Sequence, residues 1–90
     1  MTIVINKTYG GFWLPEEFCE AYGLDELNDD VERTDPRLVD FVLSHDNKYE
    51  DYGLLLVAVE IPDEATDWEM DEYDGMEAII YVLDGKIHHA

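Results

Sequence analysis

Eight residues in the middle of the chain, Leu54-Leu55-Leu56-Val57-Ala58-Val59-Glu60-Ile61, form a nearly unbroken apolar run closed off by Gly53 and Pro62. A run this short is too brief for most helices, and its β-forming residues predict the central strand of a sheet. The rest of a 90-residue chain has to supply that strand with neighbours and cover, within one small domain. Ile3-Val4-Ile5 inside Thr2–Asn6 predicts a second short buried strand, and the glycine pair of Tyr9-Gly10-Gly11-Phe12 a tight turn with two aromatic core anchors. Asp67-Trp68-Glu69-Met70-Asp71 alternates strictly, which predicts a half-buried strand with Trp68 and Met70 on one face and three carboxylates on the other.

Helices are announced by their ends. Pro15 suits a first helical position, Glu16 and Glu17 favour its positive end, Phe18 and Tyr22 share a face, and Gly23 suits the residue after the end. A two-turn helix over Pro15–Tyr22 is expected. Asp35-Pro36 reads as an N-cap followed by proline, and Leu38, Val39, Phe41, Val42 and Leu43 recur at spacings of three and four, so a second helix is expected from Pro36 to Ser44. Between them, Leu24 to Thr34 reads as an acidic loop closing over the core through Leu27, while His45–Lys48 and Tyr49–Gly53 read as turns. Asp74-Gly75 and Asp84-Gly85 are hairpin turn signals flanking Met76–Leu83, whose residues suit a strand and also fit helical spacing. With Lys86-Ile87-His88 a C-terminal meander results. The expected class is α+β, a small antiparallel sheet with two short helices packed on one face. Leu54–Ile61 and Trp68–Asp71 are expected as antiparallel neighbours, with Trp68 and Met70 toward the helices.

Charge bears most directly on function. The chain has 23 Asp and Glu against five Lys and Arg, a formal net charge of −18, yet 47% of its residues are hydrophobic. Enough apolar surface remains to fold, so disorder is not expected. Direct binding to nucleic acid or an anionic membrane is electrostatically unfavourable, which leaves solubility, cations or a basic partner. From Glu60 to Glu77 nine of eighteen residues are acidic and none is basic, and Glu16 to Asp35 holds nine more acids against Arg33 alone. No apolar stretch is long enough to span a bilayer, no secretory leader is recognisable, and Cys19 is the only cysteine. These features lead us to expect a protein of a reducing, cytoplasmic compartment, without a disulfide.

The segment Ile5-Asn6-Lys7-Thr8-Tyr9-Gly10-Gly11-Phe12-Trp13-Leu14 resembles the N-terminal motif of a family of small phage and prophage proteins, which read roughly Ile-Asn-x-x-Tyr-Gly-Gly-Phe-x-Leu-Ser. Arg33-Thr34-Asp35-Pro36-Arg37-Leu38-Val39, Val59-Glu60-Ile61-Pro62-Asp63 and Trp68-Glu69-Met70-Asp71-Glu72-Tyr73-Asp74-Gly75-Met76-Glu77 resemble further pieces of that family in the same order. Pro15 stands where the family usually has a capping Ser, and the tail lacks its partly basic ending. The family brings no catalytic residues. The resemblance implies a phage-type accessory protein acting in a bacterial cytoplasm.

No enzyme motif accompanies these features: G-x-S-x-G, Walker A, H-E-x-x-H and C-x-x-C are all absent. Asp67-x-Glu69-x-Asp71 mimics the start of a calcium loop, but its sixth position is Glu72 and its twelfth Ala78, so no metal or cofactor is expected. Cys19 reads as a small buried hydrophobe, and His88 and His89 as exposed. On a strand, Asp67, Glu69 and Asp71 form a row of negative charges spaced ~6.7 Å, which a neighbouring acidic strand or loop would thicken toward the charge density of a nucleic acid. The expected function is therefore non-enzymatic: a phage-type inhibitor, anti-CRISPR-like, mimicking nucleic acid in a basic site of a host or defence protein. Its partner-binding residues would be Asp67, Glu69, Asp71, Glu72, Asp74, Glu60, Asp63 and Glu64. The alternative is an acidic protein-binding module whose charge serves solubility and whose aromatic residues make the contacts.

Overall fold

A computed structural model describes all 90 residues. Its elements run β1 (Thr2–Asn6), α1 (Glu16–Tyr22), α2 (Pro36–Leu43), β2 (Tyr49–Asp51), β3 (Leu54–Glu60), β4 (Asp67–Tyr73), β5 (Met76–Leu83) and β6 (Lys86–His89). The fold is α+β with two antiparallel sheets, ordered β1-β3-β2 and β4-β5-β6. No helix is long and apolar enough to cross a membrane.

Strand β3 is central, as its composition demands, and its alternate residues feed two different cores. Leu54, Leu56 and Ala58 join Val4, Phe18, Cys19, Leu38 and Val42 beneath the helices. Val57 and Val59 face the other way, against a cluster of Ile3, Ile5, Ile61 and Ile79 that Trp68, Met70 and Tyr81 close from the second sheet. The molecule is thus three layers: helices, first sheet, second sheet. At roughly 1.5–3 kcal/mol per fully buried large apolar side chain, both interfaces contribute substantially.

This layering corrects the expected pairing. Strand β1 occupies one edge of β3, from Thr2 opposite Glu60 to Asn6 opposite Leu56, and β2 occupies the other, so β3 has no edge left for β4. Ile61 still pairs with Met1, and the Pro62–Thr66 turn carries the chain into the second sheet. Trp68 and Met70 consequently pack on the face of the first sheet opposite the helices. The Tyr49–Gly53 segment also differs from expectation: Tyr49–Asp51 is a strand, closed onto β3 by a Tyr52-Gly53 turn with Gly53 at φ 84°. Glu50 and Asp51 are drawn into extended backbone by the ladder, and only Tyr49 is buried.

The ends behave largely as read. Asp35 caps α2 by accepting from the Arg37 amide, and Gly23 ends α1 in the left-handed region, while Pro15 is the residue before α1 and not its first. Met76–Leu83 is a strand, because Asp74 (φ 52°) and Gly75 (φ 89°) turn it back onto β4 in register from Asp67 opposite Val82 to Tyr73 opposite Met76. Leu27 is 91% exposed, so it does not close the acidic loop; Val31 is buried in its place. Tyr9 is 58% exposed and is no core anchor, whereas Phe12 packs against the helical core. His88 is half-buried, stacked on Tyr81 with ring centroids 5.2 Å apart.

Candidate functional site

The acidic row exists. Residues of odd number on β4 point away from the core, so Asp67, Glu69, Asp71 and Tyr73 line the outward face of this strand, all exposed. None of the three carboxylates pairs with a cation. Strand β4 bonds only to β5 and leaves its other edge free. Asp67 and Asp71 fold over that edge, their Oδ1 atoms accepting from the amides of Trp68 at 2.9 Å and Glu72 at 3.1 Å. These bonds preorient two carboxylates and blunt the edge against adventitious strand pairing.

The rest of the expected band is dispersed. Opposite the row, β5 presents Val82, Ile80, Ala78 and Met76, so the neighbouring strand is apolar and does not thicken the charge. Ile80, Val82 and Ile87 line a shallow hollow of about 160 Å3 with Asp67, Trp68 and Glu69. Glu72 points to the other side of β4 and accepts from the Gly75 amide at 3.1 Å, and Asp74 sits in the turn. Glu60 ends β3, and Asp63 and Glu64 lie in the turn that leads to Asp67. Glu60 accepts from the Thr2 hydroxyl and Asp63 from the N-terminal ammonium, both at 3.0 Å. Glu77 is 8% exposed and belongs to no surface: Arg33 grips it bidentately at 2.6 and 2.8 Å, and the Asn6 amide donates to it at 2.7 Å.

A second acidic surface was not singled out from the sequence. Glu16, Glu17 and Glu20 of α1 face Asp46, Glu50 and Asp51 across an open hollow of about 750 Å3, with His45, Lys48 and Tyr49 in its wall. Burial pushes the Tyr49 phenol up, and Asp51, Glu17 and Glu16 add to the shift by disfavouring a further negative charge. Periodicity places these acids on their own elements, but only the packing of α1 beside β2 sets them face to face.

At the Tyr73 end, three loops meet around one buried side chain. Asn6 Nδ2 donates to the carbonyls of Thr8 (2.9 Å), Gly11 (3.0 Å) and Gly75 (3.1 Å), while its Oδ1 accepts from the Leu55 amide (3.1 Å). The Gly10 amide donates to the Asp74 carbonyl at 2.9 Å, and the Gly10-Gly11 backbone lies so close to Gly75 that a Cβ there would collide with the Gly11 nitrogen. The Trp13 ring lies against Gly53. Tyr9, Trp13, Tyr52 and Tyr73 are thereby brought to one pole, exposed by 58, 41, 97 and 72%. Both turns, Gly10-Gly11 and Asp74-Gly75, are legible in the sequence; that they pack against each other is not.

No group of three or more His, Cys, Asp and Glu side chains is placed to hold a metal ion. Cys19 is buried, and burial raises its thiol pKa, with Glu26, Asp29 and Asp25 adding to the rise. A thiol so shifted is a poor nucleophile at neutral pH. No family model matches the chain, and neither the curated proteins nor the solved structures contain a match to it.

Proposed function

We propose that this chain is a non-enzymatic binding protein that occupies a basic, nucleic-acid-binding surface of another protein and competes there with nucleic acid. The observation that carries this reading is the outward row of Asp67, Glu69 and Asp71: exposed, held on a hairpin with Asp67 and Asp71 preoriented, and in no ion pair. At ~6.7 Å per pair of strand residues the row matches about every second charge of a DNA strand, which carries one per ~3.4 Å of axis. The apolar stripe of Ile80, Val82 and Ile87 beside it adds contact area that phosphates lack. The narrower setting, a phage-type inhibitor of a bacterial host or defence protein such as a CRISPR effector, rests on the sequence resemblance.

The test is competition. A basic protein recovered on the immobilised chain from bacterial lysate should be released by added duplex DNA or RNA, and its affinity should fall steeply as salt shortens the Debye length below ~10 Å. Replacing Asp67, Glu69 and Asp71 by Asn, Gln and Asn leaves the inward Trp68 and Met70 in place and keeps an oxygen to accept from the edge amides. Affinity should drop by at least tenfold, at ~1.4 kcal/mol per decade. The same neutralisation at Glu16, Glu17 and Glu20 tests the second acidic surface. A larger loss there would move the site to the α1 hollow, equal losses would mean that only total charge counts, and no loss from either would discard the reading.

The alternative, an acidic module that binds through its aromatic residues, has its own support in the pole of Tyr9, Trp13, Tyr52 and Tyr73. Tyrosine and tryptophan are the residue types that dominate interface energetics.

A further inference from the structure

The few cations of this chain show how it receives a guanidinium. Arg33 lies over the Phe12 ring, its Cζ 3.5 Å from the centroid, while Glu77 takes both of its terminal nitrogens. Arg37 stands 5.6 Å from the Tyr22 ring and is held by Asp35. In both cases an aromatic face and a carboxylate act together. The lysines differ: Lys48 meets only the exposed Glu50, and Lys7 and Lys86 meet no carboxylate.

The pole organised by Asn6 presents the same two ingredients outward, and its one cation, Lys7, lines a hollow with Asp51 and Tyr52 without entering an ion pair. Tyr52 follows Asp51 in the β2–β3 turn, and Tyr73 stands between Asp71 and Asp74 at the end of the acidic row. Asp51, Asp71 and Asp74 are exposed and enter no ion pair. Tyr9 is fixed beside them through the Gly10–Asp74 bond. An ammonium is drawn to a ring face as a point charge, whereas a planar guanidinium stacks on the ring and bonds a carboxylate at once.

We infer that this pole is an arginine-reading surface, and that the basic protein which the acidic row attracts docks here through arginine side chains rather than lysines. The inference rests on the proposed function above, and names the chemistry by which the partner is chosen. A second copy of the chain is a poor occupant, because each carries a net charge of −18.

Oligoarginine and oligolysine peptides of equal length and charge are the probes, titrated into 15N-labelled protein and followed by amide and aromatic shifts. Oligoarginine should bind at least about fivefold tighter, a gap expected from exposed cation–π contacts, and should shift Tyr9, Trp13, Tyr52 and Tyr73. Tyr9→Leu, Tyr52→Leu and Tyr73→Leu, combined, should abolish the preference by lowering oligoarginine affinity more than oligolysine affinity. Thermal unfolding of that variant checks that the fold is intact, as these exposed rings predict. Equal affinity for both peptides, or a preference that survives loss of the three rings, overturns the arginine inference while the proposed function stands. Failure of both peptides to bind overturns both. Sedimentation showing self-association through the same aromatic residues would also overturn it, by assigning the pole to a second copy.

Discussion

Replacing Asn6 by Ala should be among the most damaging single changes in this protein, although it removes only one small polar side chain. Asn6 is fully buried at the end of β1 and joins four segments: Thr8, Gly11, Gly75 and Leu55. A buried polar group left without a partner costs about 1–3 kcal/mol. The Gly75 carbonyl is buried and takes the upper part of that range, the partly buried Leu55 amide the lower, and the Thr8 and Gly11 carbonyls turn to water. The sum is about 3 kcal/mol, against a total stability of roughly 5–13 kcal/mol for a chain of this size. With a urea dependence of about 1 kcal/mol per M, the unfolding midpoint should fall by about 3 M. The amide resonances of Gly10, Gly11 and Gly75 should shift together in the variant, because the loops they hold lose their common anchor. Asn6→Asp keeps the acceptor for Leu55 but turns a carboxylate on three carbonyl oxygens, so it should be at least as damaging. Thr2→Ala, which removes an exposed bond to Glu60, serves as the reference and should change stability by less than about 0.5 kcal/mol. A loss below about 1 kcal/mol for Asn6→Ala, with the three glycine resonances unmoved, would refute the view that this side chain assembles the pole.

Two further predictions separate close approach and charge. Gly75→Ala should destabilise by about 3 kcal/mol or more, since its Cβ would meet the Gly11 backbone at φ 89°, whereas Gly85→Ala, at φ 73° with nothing within 4 Å, should cost only about 1 kcal/mol of left-handed backbone strain; equal losses in urea unfolding would remove the case for a packed loop contact. The hydrogen bonds from Arg37 hold the Asp35 carboxyl below its usual range, so its contribution to stability is present above the unfolded pKa of about 3.9 and is lost as pH falls through the lower folded value. The stability gap between the wild-type protein and Asp35→Asn should therefore be flat near neutrality and close below about pH 4. A gap unchanged through that range would contradict the assignment.

Local chemistry was readable wherever a residue's own neighbours decide its state. Asp35-Pro36, the Tyr22-Gly23 end of α1, the Asp74-Gly75 and Asp84-Gly85 turns and the alternation of Asp67–Asp71 each carry their cause within a few residues, and each stands in the structure as read. The outward carboxylate row follows from that alternation alone. What lies opposite the row does not, because it depends on register: with Glu69 opposite Ile80 and Asp71 opposite Ala78, the neighbouring strand is apolar. Glu77 illustrates the limit. It closes an acidic run and looks like one more surface charge, yet it is buried because Arg33, 44 residues away, comes to it.

By itself, then, the amino-acid sequence determined a small acidic α+β domain, two short capped helices, a central β3, and a hairpin with its carboxylates on one side. Periodicity and turn chemistry act over a few residues and need no partner to be named. Only the tertiary structure decided that β1 and β2 take both edges of β3, that β4 therefore begins a second sheet, and that three loops meet at Asn6. Pairing depends on which distant segments reach an edge first in free energy, and Ile3, Val4 and Ile5 outcompete the half-polar β4 because they bury apolar side chains on both faces of the first sheet. The charge of −18 could be counted from the chain; which of those charges stand free, preoriented and beside exposed rings is a property of the packing.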